Sequence, residues 1–226
     1  MPNWFSRRRA EPVELDVLSA YAQWAAAYAP DAHNPLMQLE EQAVLDLLPE
    51  LAGRRFLDLA CGSGRYLKRL APAVGGAALR RAIGLDFSRP MLARAASLGR
   101  PLAQADLLAL PLAAGAFDLI VCGLAVGHLA DLAGSLAEMG RVLAGGGVLV
   151  YSDFHPFGAL LGWKRTFRAA NGTEFSARHH VHLYAAHQAA CQAAGLRIEA
   201  VREPRIEGEH SYRGYPAVLV IRATKP

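Results

Sequence analysis

Cysteine is scarce in this chain: Cys61, Cys122 and Cys191 are the only three in 226 residues. An odd number without C-x-x-C spacing supports neither a disulfide scaffold nor a thiolate metal site, so reduced thiols in a cytoplasm are the expectation. Long apolar runs are missing too. The longest, such as that from Leu119 to Val126, stop far short of the roughly 18 residues that cross a bilayer, and no membrane span is expected. The N-terminus carries Arg7, Arg8 and Arg9 but no apolar signal-peptide core behind them. Charged residues make up only 19% and give a net charge of +4. Beyond that triplet and the pairs Arg54/Arg55 and Arg80/Arg81 the basic residues are scattered, without the aromatic-interleaved stripe of a nucleic-acid face, so no nucleic-acid partner is expected. What is abundant is apolar side chain, at 53%. That excludes a disordered chain and fits one globular domain.

Val13 to Ala29 reads as an amphipathic helix, with Val17, Tyr21, Trp24 and Tyr28 at helical spacing and Pro30 as its stop. A second helix follows Pro35, with Leu36, Leu39, Val44 and Leu48 among its core positions, and ends near Pro49 and Gly53. From Arg54 the pattern changes to short apolar runs alternating with helical segments. Strands are expected at Arg55 to Ala60, Ala82 to Phe87, Pro101 to Asp106, Phe117 to Gly123 and Val148 to Asp153. Helices fill the gaps from about Gly64 to Leu70, from an N-capping Ser88 to Leu98, and from Asp131 to Leu143, with Gly145 to Gly147 as a turn. This alternation predicts an α/β fold: a Rossmann-like, doubly wound, mostly parallel sheet with helices on both faces. The rhythm fails for about thirty residues after Asp153, and a loop that long in a compact domain is more often functional than idle. A helix from Leu183 to Ala194 and two final strands, Leu196 to Glu203 and Ala217 to Thr224, complete the chain as an antiparallel pair. The expected organisation is one domain: N-terminal helices and lid (1–53), a cofactor-binding core (54–153), a substrate-lid insertion (154–182), and a C-terminal helix and hairpin (183–226).

The most informative stretch is L-D-L-A-C-G-S-G-R, Leu57 to Arg65. Glycines directly after a strand let the backbone bend sharply and approach a ligand, while the next helix offers unpaired N–H groups. The second strand ends in Asp86, placed to accept ribose hydroxyls, and the third in Asp106, placed to accept from an exocyclic amine, with the Leu107 N–H near a ring nitrogen. Phe87 and Met91 supply apolar flanks for a base. Three successive strand ends therefore point to a nucleoside-containing cofactor. A dinucleotide would call for G-x-G-x-x-G, but Leu67 stands where the third glycine belongs. Asp58 would also set a negative charge beside a pyrophosphate, whereas a carboxylate there suits the ammonium of a methionine tail, directly or through water.

F-L-D-L-A-C-G-S-G-R at Phe56 to Arg65 resembles the first motif of the class I S-adenosylmethionine-dependent methyltransferases. I-G-L-D-F-S at Ile83 to Ser88 resembles their second motif, the run from Ala105 to Leu129 is similar to their third and fourth, and Arg141 to Val150 to the segment entering the fifth strand. The subtype is similar to the small-molecule branch that includes ubiquinone/menaquinone C-methyltransferases and malonyl-carrier-protein O-methyltransferases. The resemblance implies S-adenosyl-L-methionine as cofactor. It implies Asp58, Ala60, Gly62 and Gly64 around the methionine part, Asp86 at the ribose, and Phe87, Met91, Asp106 and Leu107 at the adenine. Cys122, Gly123 and Leu124 would border the sulfonium. It also implies seven strands, the last inserted antiparallel beside the fifth. Two departures are visible: Gly145-Gly146-Gly147 replaces Pro-Gly-Gly, and Gly127 stands before His128 where a His or Glu is common.

A small organic acceptor and an in-line displacement are expected, and the groups that serve the acceptor must come from segments overhanging the strand ends. His128, after the fourth strand, is one candidate for accepting a proton or orienting the acceptor, and His180 is chosen from the group His155, His179, His180 and His182. H-H-x-H on an irregular segment does not form a metal-ligand face, so no metal is expected. Tyr21, Trp24 and Tyr28 mix core and roof roles, with Tyr28 nearest the cofactor. Arg165 and Arg168 are better read as solvated than as attracting an anionic acceptor. Two alternatives stay open: a methyltransferase of proteins or RNA, and a non-catalytic nucleoside-binding module.

Overall fold

A computed structural model describes residues 11–75, 82–169, 172–207 and 213–226; the arginine triplet 7–9 and the pair Arg80/Arg81 lie outside the described residues. The chain enters through β1 (Val13–Leu15) and α1 (Val17–Trp24), which a 3-10 turn over Ala25–Ala27 extends. The expected single helix from Val13 is thus a strand and then a helix: Asp16 accepts from the Ser19 N–H at 3.0 Å and so caps α1, which cannot extend backward through an extended residue. Next come α2 (Pro35–Leu45), β2 (Phe56–Leu59), α3 (Arg65–Leu70), β3 (Ala82–Asp86), α4 (Arg89–Ala95), β4 (Leu102–Gln104) and β5 (Phe117–Cys122). The chain continues with α5 (Leu132–Val142), β6 (Leu143–Phe154), α6 (Pro156–Leu160), β7 (Arg165–Arg168), β8 (Glu174–Ala177), α7 (Tyr184–Ala193), β9 (Arg197–Arg202) and β10 (Val218–Thr224).

Seven strands form one sheet in the order β4-β3-β2-β5-β6-β10-β9. β2, β3, β4, β5 and β6 pair in parallel, and β10 lies antiparallel between β6 and β9. The expected sheet is therefore present, with its last strand inserted where the resemblance implied. Phe56, Leu57 and Leu59 are essentially inaccessible on both faces of β2, each contributing about 1.5–3 kcal/mol of burial. One apolar layer gathers Leu57, Ile120, Leu136, Met139 and Tyr151; the other gathers Val44, Phe56, Leu67, Leu119 and Val220. The expected turn at Gly145 to Gly147 is instead a kink inside the long β6, with Gly146 at φ +72° and its N–H donated to the Lys225 carbonyl. Among the described residues no helix is long and apolar enough to cross a membrane.

The stretch after Asp153, expected as an irregular loop, builds a second sheet in the order β1-β8-β7. It packs under α1: Phe167 stacks on Trp24 with ring centroids 4.9 Å apart and planes 8° from parallel, and Phe175 stacks on Phe167 at 5.6 Å. Ala20, Phe167 and Ala177 are the buried centre of this small cap.

Candidate active site

The cap and the carboxyl ends of the parallel strands enclose a cavity of about 340 Å³. Topology puts it there, because the strand order reverses direction between β2 and β5 and the connections diverge to opposite faces. Asp58, Ala60, Gly62, Asp86, Phe87, Met91, Asp106, Leu107, Gly123 and Leu124 line it, with Tyr21, Tyr28, Arg65, Tyr66, His128 and Arg165 among the residues closing it from the other side. Ten of the residues expected around the cofactor, together with Tyr28 and His128, therefore share one space.

Its floor is fixed through backbone donors. Asp86 Oδ2 accepts from the Gly62 N–H at 2.7 Å and Oδ1 from the Ser88 N–H at 2.7 Å, so one carboxylate ties the glycine turn to the end of β3. Each oxygen keeps lone-pair capacity for a second donor. Ser88 was expected to cap α4 with its hydroxyl, but its side chain makes no capping bond and the carboxylate of Asp86 holds its backbone instead. Asp106 Oδ1 accepts from the Leu108 N–H at 2.9 Å. Asp58 is 1% exposed and accepts from the Leu67 N–H at 2.9 Å. Burial pushes its carboxyl up to about 7, against the opposing pull of that hydrogen bond and of Arg65. Such a group gains from a cation. Ala60 and Leu124, at the ends of β2 and β5, hold left-handed backbone at φ 54° and 56°, a conformation that costs about 1–2 kcal/mol for an L-residue and concentrates at ligand sites.

The space is also kept open by missing side chains. A Cβ on Gly123 would sit 2.6 Å from the Tyr66 ring and 3.1 Å from Glu40 Oε1. Glu40, on α2, was not foreseen, yet it is fully buried and holds three partners: Arg65 Nη2 donates to Oε2 at 2.6 Å, the Tyr66 hydroxyl to Oε1 at 2.9 Å and the Ser152 hydroxyl to Oε1 at 2.6 Å. Ser152 Oγ in turn accepts from the Leu124 N–H at 2.8 Å, so Glu40 reaches the strained residue at the end of β5 through one hydroxyl. The available signal was the arginine and tyrosine directly after the glycine turn, which need a buried partner to be buried themselves. The entry side is pinned to the turn: Ser63 Oγ donates to the Ala29 carbonyl at 3.2 Å and Arg94 to the Tyr28 carbonyl at 3.2 Å.

Three expected residues lie elsewhere. Gly64 does not face the cavity; at φ +87° it opens α3, and a Cβ there would collide with Leu98, so the glycine serves helix packing. Cys122 is fully buried in the first apolar layer of the sheet core, on the side of β5 opposite Val121, and is not among the lining residues. His180 is not among the lining residues; its backbone N–H donates to the Gly127 carbonyl at 2.6 Å and fastens the segment beside β5. The other histidines of that segment are engaged as well. His155 caps α6 and meets Glu203 at 3.1 Å, His179 meets Asp153 at 3.0 Å, and His182 Nε2 lies 2.8 Å from the Leu129 carbonyl. Gly127 is required by the Asp153–His179 pair, since a Cβ there would run into both.

His128 does reach the cavity, in a defined state. Its Nδ1 lies 3.0 Å from the Arg178 carbonyl, which only accepts, so Nδ1 carries the proton and Nε2 presents a lone pair to Arg165 and to the Tyr21 hydroxyl, 3.0 Å away. Burial and the Arg165 charge hold its pKa well below the usual histidine range. Arg168 is exposed as expected, but Arg165 is not: the alternation along β7 turns Arg165 and Phe167 inward and Thr166 and Arg168 outward.

Comparison with known proteins finds methyltransferases. Residues 57–151 match the family model described as "Methyltransferase domain". The chain is 40% identical over 118 residues to a demethylmenaquinone methyltransferase of Thermus thermophilus, covering 50% of this chain and 52% of that protein. It is 31% identical over 172 residues to a malonyl-[acyl-carrier protein] O-methyltransferase of Methylococcus capsulatus, covering 74% and 58%. The chain thus spans about half the length of the curated relatives it matches. Among solved structures, an S-adenosylmethionine-dependent methyltransferase from Mesorhizobium loti superposes with a TM-score of 0.68 at 26% identity, covering 82% of this chain and 97% of that one.

Proposed function

We propose that this chain, whose residues 57–151 match the model of a methyltransferase domain, is an S-adenosylmethionine-dependent methyltransferase acting on a small organic acceptor by in-line displacement. The observation that carries the reading is the convergence of the glycine turn, Asp86, Asp106 and a buried, proton-retaining Asp58 on one cavity. The residues present fit that cofactor: a nucleoside end with two acceptor carboxylates and apolar flanks, and a far end with an acid that gains from a cation.

When bound, S-adenosylmethionine supplies a methyl already activated by its sulfonium, so the chain's task is to bind, align and exclude water. In this reading Asp86 holds the ribose, and Asp106 with the Leu107 N–H reads the adenine between Phe87 and Met91. Asp58 faces the methionine ammonium beside Ala60 and Gly62. Gly123 and Leu124 border the reacting centre, and Tyr28 closes over it. His128, neutral and with its Nε2 engaged, orients the acceptor side rather than waiting as a free base.

Calorimetric titration with S-adenosylhomocysteine is expected to show one-site binding, with no competing uptake of NAD. Incubation with methyl-labelled cofactor and a metabolite extract is expected to place label in small molecules. Binding of NAD alone would overturn the cofactor assignment, and label confined to protein or RNA would overturn the acceptor class.

A further inference from the structure

We propose that Arg165 is the anion-binding group of the acceptor site, so that the molecule received under the cap is a small organic acid held by its carboxylate. This rests on the methyltransferase reading and narrows its acceptor.

Arg165 lines the cavity and is only 8% exposed. Among the described residues it makes no ion pair. Its Nη1 donates to the Tyr21 hydroxyl at 3.0 Å and to His128 Nε2, and its guanidinium carbon sits 4.5 Å above the centre of the Phe154 ring. Arg65, the other arginine on the cavity wall, is instead clasped by Glu40 and Glu41. A guanidinium taken out of water without a counter-charge is costly. The residues around Arg165 do not remove that cost; they aim it.

The way they aim it is specific. His128 has one nitrogen committed as a donor to the Arg178 carbonyl, so the nitrogen facing Arg165 can only accept. The Tyr21 phenol is kept protonated by burial. Arg165 is therefore fixed by two neutral acceptors that orient the planar fork without neutralising it, and three of its five N–H donors remain for a ligand. A carboxylate matches a single guanidinium in charge and in bidentate geometry, whereas a phosphate dianion would ask for a second cation. The carboxylate of the cofactor's own methionine tail is the one other source of that chemistry in the cavity.

The test uses the full chain loaded with S-adenosylhomocysteine and, as probes, hexanoate and benzoate against hexanamide and benzamide, read by saturation-transfer NMR. At least one acid is expected to bind about tenfold more tightly than its amide, Arg165→Gln to abolish that preference, and Arg165→Lys to keep part of it. S-adenosylhomocysteine affinity, which also reports folding of each variant, is expected to change by less than about threefold. Equal binding of acids and amides to the unaltered protein would overturn the proposal. So would an acid preference that survives Arg165→Gln, or a loss of S-adenosylhomocysteine affinity as large as the loss of acid affinity, which would assign Arg165 to the cofactor's carboxylate. Failure of the unaltered protein to bind S-adenosylhomocysteine would count against the methyltransferase reading alone, and the acid and amide comparison in the unloaded chain would still decide the role of Arg165.

Discussion

The floor of the cavity and its cap are held by different kinds of bond. On the floor, side-chain acceptors grip backbone N–H groups close in the sheet: Asp86 holds Gly62 and Ser88, Asp58 holds Leu67, and Ser152 holds Leu124. In the cap, side chains grip one another across long stretches of chain, with Tyr21 reaching His128 across 107 residues and Arg165 across 144. A floor made of backbone contacts fixes where a ligand's common part must lie. A cap made of side-chain contacts can be rewritten by substitution without disturbing the strands, which is how one fold accommodates many acceptors.

The largest way to break this contrast is Glu40→Ala, because Glu40 belongs to neither motif nor cap and yet supports the floor. Removing it strands Arg65, the Tyr66 hydroxyl and the Ser152 hydroxyl in a buried site, and the expected loss is about 3–5 kcal/mol in urea unfolding. A loss under about 1 kcal/mol would mean water replaces the carboxylate and the network is not structural. Phe167→Ala tests the cap in the same units. Phe167 is 6% exposed and stacked between Trp24 and Phe175, so about 3 kcal/mol of local stability should go. Hydrogen exchange should quicken at β7 and β8 while β2 and β3 keep their protection. Uniform quickening across both sheets would erase the distinction between the two regions.

Asp86→Ala is expected to weaken S-adenosylhomocysteine binding about 10- to 100-fold by calorimetry, since it would remove the proposed ribose acceptor together with one bond to the glycine turn at Gly62 and one to Ser88 at the start of α4. Unchanged affinity in the folded variant would remove Asp86 from the ligand site.

The same contrast explains what could be read from the chain beforehand. The floor was legible because each element is a short apolar run followed by a residue whose chemistry is specific: Asp86 ends β3, Asp106 lies two residues beyond the end of β4, and a glycine turn that would be weak evidence alone gains meaning from the two acids beside it. Gly64 and Cys122 belong to the same motifs but do not line the cavity: Cys122 falls on the core side of a strand whose side chains alternate in direction, and Gly64 turns the chain into α3 with left-handed backbone against Ala95 and Leu98. The cap was largely illegible. β1 has three residues and β7 four, too few for a period to register, and β1 pairs with β8 across most of the chain. R-T-F-R held the one usable hint, an alternation that pairs Arg165 with Phe167 on the buried side. Glu40 was hidden for another reason: an acid on an apolar helix reads as a solvent-facing residue until its partners on α3 and β6 are known.

A smaller effect comes from the proton that Asp58 retains. With its folded value raised to about 7 by burial, the folded chain holds more protons at this site than the unfolded chain between the ordinary carboxylate range and about pH 7, so the stability this group contributes falls as pH rises through that window. Asp58→Asn should remove the slope, and its unfolding free energy relative to the unaltered protein should grow between about pH 5 and about pH 8. A ligand ammonium favours the ionised form, so S-adenosylhomocysteine affinity should drop up to about tenfold for each pH unit below about 7 in the unaltered protein and stay flatter in Asp58→Asn. Parallel profiles for the two would dissociate Asp58 from the cation.

The smallest expected change is at Ala60, and it bears on whether floor strain is stored for the ligand or merely tolerated. Glycine relieves the left-handed backbone at φ 54°, worth about 1–2 kcal/mol, but gives back about 0.5–1 kcal/mol in unfolded-chain freedom. Ala60→Gly should therefore stabilise the unliganded chain by only about 0.5–1 kcal/mol in urea unfolding. At Leu124, with the same strain at φ 56°, the glycine variant should instead destabilise, because that side chain is 9% exposed and packed in the second apolar layer. If both glycine variants stabilise, the strain outweighs packing at both strand ends. If Ala60→Gly destabilises, the methyl group of Ala60 contributes packing on the floor that exceeds the strain of holding it there.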